Sequence, residues 1–188
     1  MRDLSLHILD IMQNSTAAGA GLIRATFRVK TEIGMLVVTI EDDGSGMDEK
    51  LLAVVTDPFT TTRTTRKVGL GIPLFKASAE QSGGSFEIES HRGSGTVVRA
   101  EFGVGNIDRP PLGDLAGVIA DMAAAWPETD IQLILENGAA RFEFSSHEAA
   151  GILGEVPLSE LAVVRWLREY ICDGIKEIFG GVLNEIDS

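Results

Sequence analysis

Cysteine is nearly absent. Cys172 stands alone among 188 residues, so no internal disulfide can form and the fold must rest on buried apolar surface. A single thiol of this kind reads as a small hydrophobe rather than a nucleophile. Aromatic residues make up only 6% of the chain, eight of them phenylalanine. Trp166 and Tyr170, on one helical stretch, read as packing residues. The three histidines show no metal-ligand spacing. No apolar run approaches the ~20 residues needed to span a bilayer. No basic stretch leads into an apolar one at the N-terminus. A cytoplasmic location without a membrane partner is expected. Positive charge is scarce in one place in particular: residues 106–188 carry 5 Lys/Arg against 15 Asp/Glu, whereas residues 1–105 carry 11 against 13. An acidic half repels DNA and anionic lipid, so a nucleic-acid partner is not expected.

What is present suffices for a core, since 44% of the residues are apolar. Residues 3–18 have helical periodicity: Leu4, Ile8, Ile11 and Met12 fall on one arc, with Asp3, His7, Asp10 and Asn14 on another. His7 is expected at the surface of that arc. Gly19 and Gly21 end the helix. Ile23–Lys30 alternates as a half-buried strand, and a turn at Thr31–Gly34 leads into a second strand, Met35–Glu41. A polar, threonine-rich stretch runs from Gly46 to Lys67. A helix over 70–81 is stopped by Gly83-Gly84. Strands Ser85–Ser90 and Thr96–Phe102 are joined by a turn at 91–95. Gly103–Gly113, with Pro110 and Pro111, reads as a linker. Beyond it come a helix (112–125), a hairpin (130–136 and 140–145, turned at Asn137-Gly138) and a final helix (158–179).

Four short patterns occur in order within the first half. In Asp10-Ile-Met-Gln-Asn14-Ser-Thr-Ala-Ala18, Asp10, Asn14 and Ala18 share one helical face. Mg²⁺ held by a phosphate chain keeps several waters and needs few protein ligands, so one amide oxygen suffices. Asp42-Asp-Gly-Ser-Gly46 ends a strand with a carboxylate able to accept from an amine, and its glycines admit a flat base to the backbone. Read as a calcium loop from Asp42, it fails because Gly44 and Gly46 occupy ligand positions. Asp57-Pro-Phe-Thr-Thr-Thr-Arg63 continues through Arg66 and Lys67 as a cationic loop able to donate to phosphate. Gly69-Leu-Gly71 opens a helix whose first amides favour anions.

In order and spacing these patterns resemble the GHKL superfamily of gyrase, heat-shock chaperones, sensor histidine kinases and MutL. The resemblance covers roughly residues 1–103. It implies a two-layer α/β sandwich of the GHKL (Bergerat) type, a mixed sheet covered by helices on one face, for a domain at 1–105. Residues 106–188 are expected as a small acidic α+β domain serving as a partner or dimer surface. The resemblance also implies ATP and Mg²⁺ as cofactors. Asn14 would hold the metal and Asp42 would read adenine. Asp10 takes the place of the usual glutamate general base, one methylene shorter. Residues 57–68 would form the F-box and lid, with Phe59 packed inside. The nucleotide-binding set carried over is Asn14, Ala18, Asp42, Gly44, Gly46, Met47, Phe59, Thr62, Arg63, Lys67, Gly69, Leu70, Gly71 and Thr96.

Two functions follow from this reading. One is a nucleotide-dependent regulatory module with weak or partner-dependent hydrolysis, acting on a protein partner or as a homodimer. The other is a stand-alone protein kinase of the anti-sigma serine or histidine type. The first helix starts at residue 3, which leaves no room before it in these 188 residues for a phospho-accepting helix pair. The one lysine after residue 105, Lys176, argues against a transducer domain that supplies a lysine to the γ-phosphate.

Overall fold

Asp3 begins the chain's first helix by accepting the Leu6 backbone N–H at 3.0 Å, which satisfies one of the amides a helix start leaves unpaired. The computed structural model describes residues 3–56, 71–180 and 182–183. Along it run α1 (Leu4–Ala17), β1 (Leu22–Lys30), β2 (Met35–Asp42), α2 (Glu49–Val54), α3 (Gly71–Gln81), β3 (Phe86–His91) and β4 (Gly95–Gly103). They are followed by α4 (Leu115–Ala125), β5 (Asp130–Asn137), β6 (Ala140–Ser145), α5 (Ser146–Leu153) and α6 (Leu161–Phe179).

The six strands form one mixed sheet in the order β3-β4-β2-β1-β5-β6. Every neighbouring pair is antiparallel except β1 and β5, which run parallel from Leu22 beside Asp130 to Val29 beside Asn137. The period-2 alternation read in β1 sends Ile23, Ala25, Phe27 and Val29 into the core. Arg24, Arg28 and Lys30 emerge on the other face. Helices α1, α3, α4 and α6 cover the apolar face. Phe27 of β1 and Phe102 of β4 are fully buried beneath them, with Phe75 of α3 and Leu4, Ile8 and Met12 of α1. Each such side chain contributes ~1.5–3 kcal/mol of burial. The open face carries charge ladders instead. Glu136 on β5 pairs with Arg28 on one side and Arg141 on the other, and Glu101 accepts from Arg99 and Lys30. The expected mixed sheet with helices on one face is the observed architecture.

The second half shares that sheet with the first. The 103–113 segment is followed by α4, which packs on α1, and by β5, which lies along the full length of β1. The joint is stitched by backbone and side chain alike: Leu4 N–H donates to Pro111 O, Asp130 N–H to Gly21 O, and Thr129 Oγ1 to Ala20 O. A residue-by-residue reading cannot see a parallel pairing between strands more than a hundred positions apart.

Local differences have local causes. α2 falls in the stretch read as loop; Asp48 caps it by accepting from Leu51 N–H, but six residues are too few to show a period. α5 was likewise not expected. Its signal is Ser145-Ser-His-Glu148, a capping box in which Ser145 Oγ accepts from Glu148 N–H. Among the described residues no helix is long and apolar enough to cross a membrane.

Candidate functional site

Two glycines let the ends of three strands and a loop meet. Gly95 opens β4 at φ +87°, and a Cβ there would stand 1.8 Å from the Asp42 carbonyl oxygen. Gly46 has φ +63°, and a Cβ would stand 2.0 Å from the His91 carbonyl oxygen. Any side chain at either position drives the 42–46 loop off the β3–β4 turn. With these contacts closed, Asp42 and Thr96 are direct partners across β2 and β4.

Beneath them lies a cavity of about 450 Å³, bounded by α1, the 42–47 loop, α2 and the start of β4. Of the residues read from the sequence, Asn14, Ala18, Asp42, Gly46, Met47 and Thr96 line it. Its size falls within the range of small-molecule sites, ~300–1,000 Å³. Ile11, Ile72, Val98 and Val55 make the rest mostly apolar, and Asp42 is the one charged group among the described lining residues. A larger hollow of about 620 Å³ between the α4 start and α6 contains none of the described motif residues.

Asp42 is held rigidly. Its Oδ1 accepts the Gly44 N–H at 3.0 Å, and its Oδ2 accepts the Ser15 hydroxyl at 2.6 Å. Each carboxylate oxygen has a second lone pair, so acceptor capacity remains. Asp43 turns the other way and accepts the N–H groups of Gly21 and Leu22. Gly44 does not line the cavity but lets it close: a Cβ there would press on Ala18 Cβ and Asp42 Oδ1, each at 3.0 Å. Ser45 N–H donates to Ala18 O, tying the loop to the end of α1.

Asp10 lies beyond the cavity lining, against Gly71 at the head of α3, where a Cβ on Gly71 would stand 2.7 Å from Asp10 Cβ. This close approach needs glycine at 71. It sets the Asp10 carboxylate beside a helix N-terminus, where negative charge is favoured. Phe59, Thr62, Arg63, Lys67, Gly69 and Leu70 lie outside the described residues, as does the rest of the expected lid.

Two serines were missed by the sequence reading. Ser15 follows Asn14 directly, and a hydroxyl one position from a motif residue draws no notice. Ser90 is a buried node: it accepts the Met47 N–H at 2.8 Å, reaches Gly95 O at 2.9 Å, and shares a hydrogen bond with Thr96 Oγ1 at 2.9 Å. It fixes Thr96 and Met47 together on the wall. His7 also departs from expectation. It is 1% exposed, packed against Phe75 of α3, with no hydrogen-bond partner for Nδ1 among the described residues and Nε2 near Ser78 Oγ at 3.4 Å. Burial pushes its pKa below the usual histidine value, against the raising influence of Asp10 and Asp3.

Against known proteins, residues 2–106 match the sequence profile described as histidine kinase-, DNA gyrase B-, and HSP90-like ATPase. That is more than half of the chain. The chain belongs to this ATPase family. Its members' common ligand is ATP, and the GHKL resemblance read from the motifs is thereby established. The chain is 38% identical over 65 residues to the C4-dicarboxylate transport sensor protein DctB of Pseudomonas aeruginosa, which covers 34% of this chain and 11% of that protein. It is 35% identical over 75 residues to a sensor protein of Shewanella frigidimarina, covering 39% and 12%. Sporulation kinase C of Bacillus subtilis is 33% identical over 63 residues, covering 34% and 14%. The matches thus span between a tenth and a seventh of these relatives. The crystal structure of the N-terminal domain of a DNA repair protein superposes with a TM-score of 0.55 over 96% of this chain and 58% of that one, at 13% identity. The likeness in fold therefore extends into α4–α6, beyond the profile's limit.

Proposed function

We propose that this GHKL ATPase-family chain is a nucleotide-dependent regulatory module that binds ATP with Mg²⁺ and hydrolyses it slowly unless a protein partner completes the site. The observation that carries the reading is the wall of the 450 Å³ cavity, where a single pinned carboxylate, Asp42, stands beside Thr96 on mostly apolar surface. A flat base with an exocyclic amine suits such a wall: its faces meet Ile11, Met47, Ile72 and Val98, and its N–H donates to Asp42. Asn14 lies on the same wall and offers an amide oxygen to a phosphate-bound Mg²⁺ without adding charge. The first amides of α3, headed by Gly71, favour the phosphate anions. Arg63, Arg66 and Lys67 supply donors from the cationic segment.

Asp10 serves as general base in this account. Its position against Gly71 supports the role, because a base must reach a water near the γ-phosphate. Its short side chain limits that reach. Turnover by the isolated chain is expected well below the typical ~10 s⁻¹. Asp10→Asn removes the turnover and leaves nucleotide affinity intact. Transfer of the γ-phosphate to a protein is the second reading, favoured by the similarity to a sporulation kinase. Phosphate release and transfer from labelled ATP, measured side by side, separate the two. Turnover at ordinary enzyme rates by the chain alone would replace the regulatory reading with an enzymatic one.

A further inference from the structure

Among the described residues the sheet has two edges, β3 and β6, and they differ in what they offer a second copy. On the open face β3 presents Glu87 and Glu89. Pairing β3 antiparallel with itself about a two-fold axis at Ile88 sets Glu87 opposite Glu89 of the second copy, and like charges directly opposite repel. On the same face β6 presents Arg141 and Glu143. An axis at Phe142 sets Arg141 opposite Glu143 of the second copy, twice over. Shifting the axis to Arg141 or to Glu143 sets like charges opposite again. One register is therefore favoured, and in it the row Arg28–Glu136–Arg141 is continued by Glu143 of the second copy.

The helix side of the same edge carries an uncovered aromatic ladder. Phe142 lies 5.2 Å from Tyr170, and Tyr170 stacks on Trp166 at 5.7 Å and 16°. Trp166 and Tyr170, read from the sequence as packing residues, are 49% and 44% exposed. Gly174 brings α6 hard against the edge strand, since a Cβ there would stand 2.6 Å from the Phe142 ring. An exposed stacked Trp–Tyr pair is unusual away from an interface. An axis at Phe142 brings the two ladders together.

We infer that β6 pairs antiparallel with β6 of a second copy about a two-fold axis at Phe142, giving a homodimer with a continuous twelve-stranded sheet and the Phe142–Tyr170–Trp166 ladders meeting across the axis. The charge pattern selects the second copy over another partner, because the edge is complementary to itself in a single register. The surface lies apart from the nucleotide cavity, and the inference does not depend on the function proposed above.

Sedimentation velocity on the whole chain at about 100 µM, with and without ATP, tests it. The wild type is expected to be a dimer in both conditions. Arg141→Glu alone and Glu143→Arg alone each weaken the dimer roughly tenfold or more by facing like charges twice. The double exchange restores it. Mixing the two single variants yields a heterodimer that neither forms alone. Trp166→Ala, a change at an exposed position, weakens the wild-type dimer without altering the circular dichroism. A monomeric wild type, single variants that remain as dimeric as wild type, or a mixture that stays monomeric would each overturn the inference. ATP binding by the monomeric variants, measured by calorimetry, reports separately on the nucleotide site.

Discussion

The two halves of this chain carry different kinds of information. In residues 3–103 polar and glycine motifs meet around a cavity, each held by a contact that only its residue type permits: Gly95 under Asp42, Gly46 under His91, Gly71 against Asp10. Residues 112–183 carry none of the four site patterns; they supply an almost wholly buried α4, an amphipathic α6 and two strands that extend the sheet. The first half builds the site and the second half covers β1. Ile23, Ala25 and Phe27 are fully buried, and α6 packs on β5, β6 and α4. Chemistry is thus read from a few exact residues, whereas support is spread over many interchangeable apolar ones.

Removing residues 106–188 breaks that comparison most severely. β1 would lose its parallel partner along its whole length, and α1 would lose α4. The truncated chain is expected to lose cooperative thermal unfolding, followed by circular dichroism. A truncated chain that melts cooperatively would show that the first half stands by itself. Next in size is Gly95→Ala, which places a methyl 1.8 Å from the Asp42 carbonyl at a positive φ. A loss of ~3 kcal/mol in urea unfolding is expected. The matching change in the second half, Gly138→Ala at φ +59° with open space around it, should cost only ~1 kcal/mol. Ser15→Ala removes one donor to Asp42 and leaves the Gly44 N–H in place. It is expected to cost ~1 kcal/mol of stability and to weaken nucleotide binding less than any change at Asp42.

The smallest effect is one of pH. His7 is buried, and burial holds its folded pKa below the ordinary value of 6.5. The unfolded chain therefore binds a proton more readily than the folded one. Stability is full above 6.5 and falls as pH drops through that value toward the lower folded pKa. His7→Leu should flatten this part of the stability–pH curve in urea titrations while keeping the fold at neutral pH. An unchanged slope in the variant would assign the pH dependence to other groups.

Much of the fold was legible because its signals are local. Alternation gave β1, the turn at Thr31–Gly34 placed β2 after it, helical periodicity gave α1 and α6, and turn glycines separated β3 from β4. What escaped was short or distant. α2 is too brief for a period, yet its Leu51, with Val55 just after it, lines the cavity. The parallel pairing of β5 with β1 leaves no mark in either segment. At the site, Asn14 of α1 and Ala18 at its end, Asp42, Gly46 and Met47 of the 42–47 segment and Thr96 of β4 line one cavity, whereas Asp10 and Gly44 lie outside its lining. Ser15 and Ser90 escaped because a hydroxyl's importance depends on what it faces, and both face partners distant in sequence. His7 was misplaced for a similar reason: its polar arc on α1 is covered by α3, which a single-helix projection cannot show.

The measurement closest to the central claim is a calorimetric titration of the whole chain with ATP and Mg²⁺, run in parallel on Asp42→Asn. Binding by the wild type is expected, with a weakening of ~1–3 kcal/mol in the variant, the cost of losing a charge-assisted acceptor on a mostly apolar wall. Asp42→Asn that stays folded and binds ATP as tightly as the wild type, or a wild type that binds neither ATP nor ADP at millimolar ligand, would contradict it.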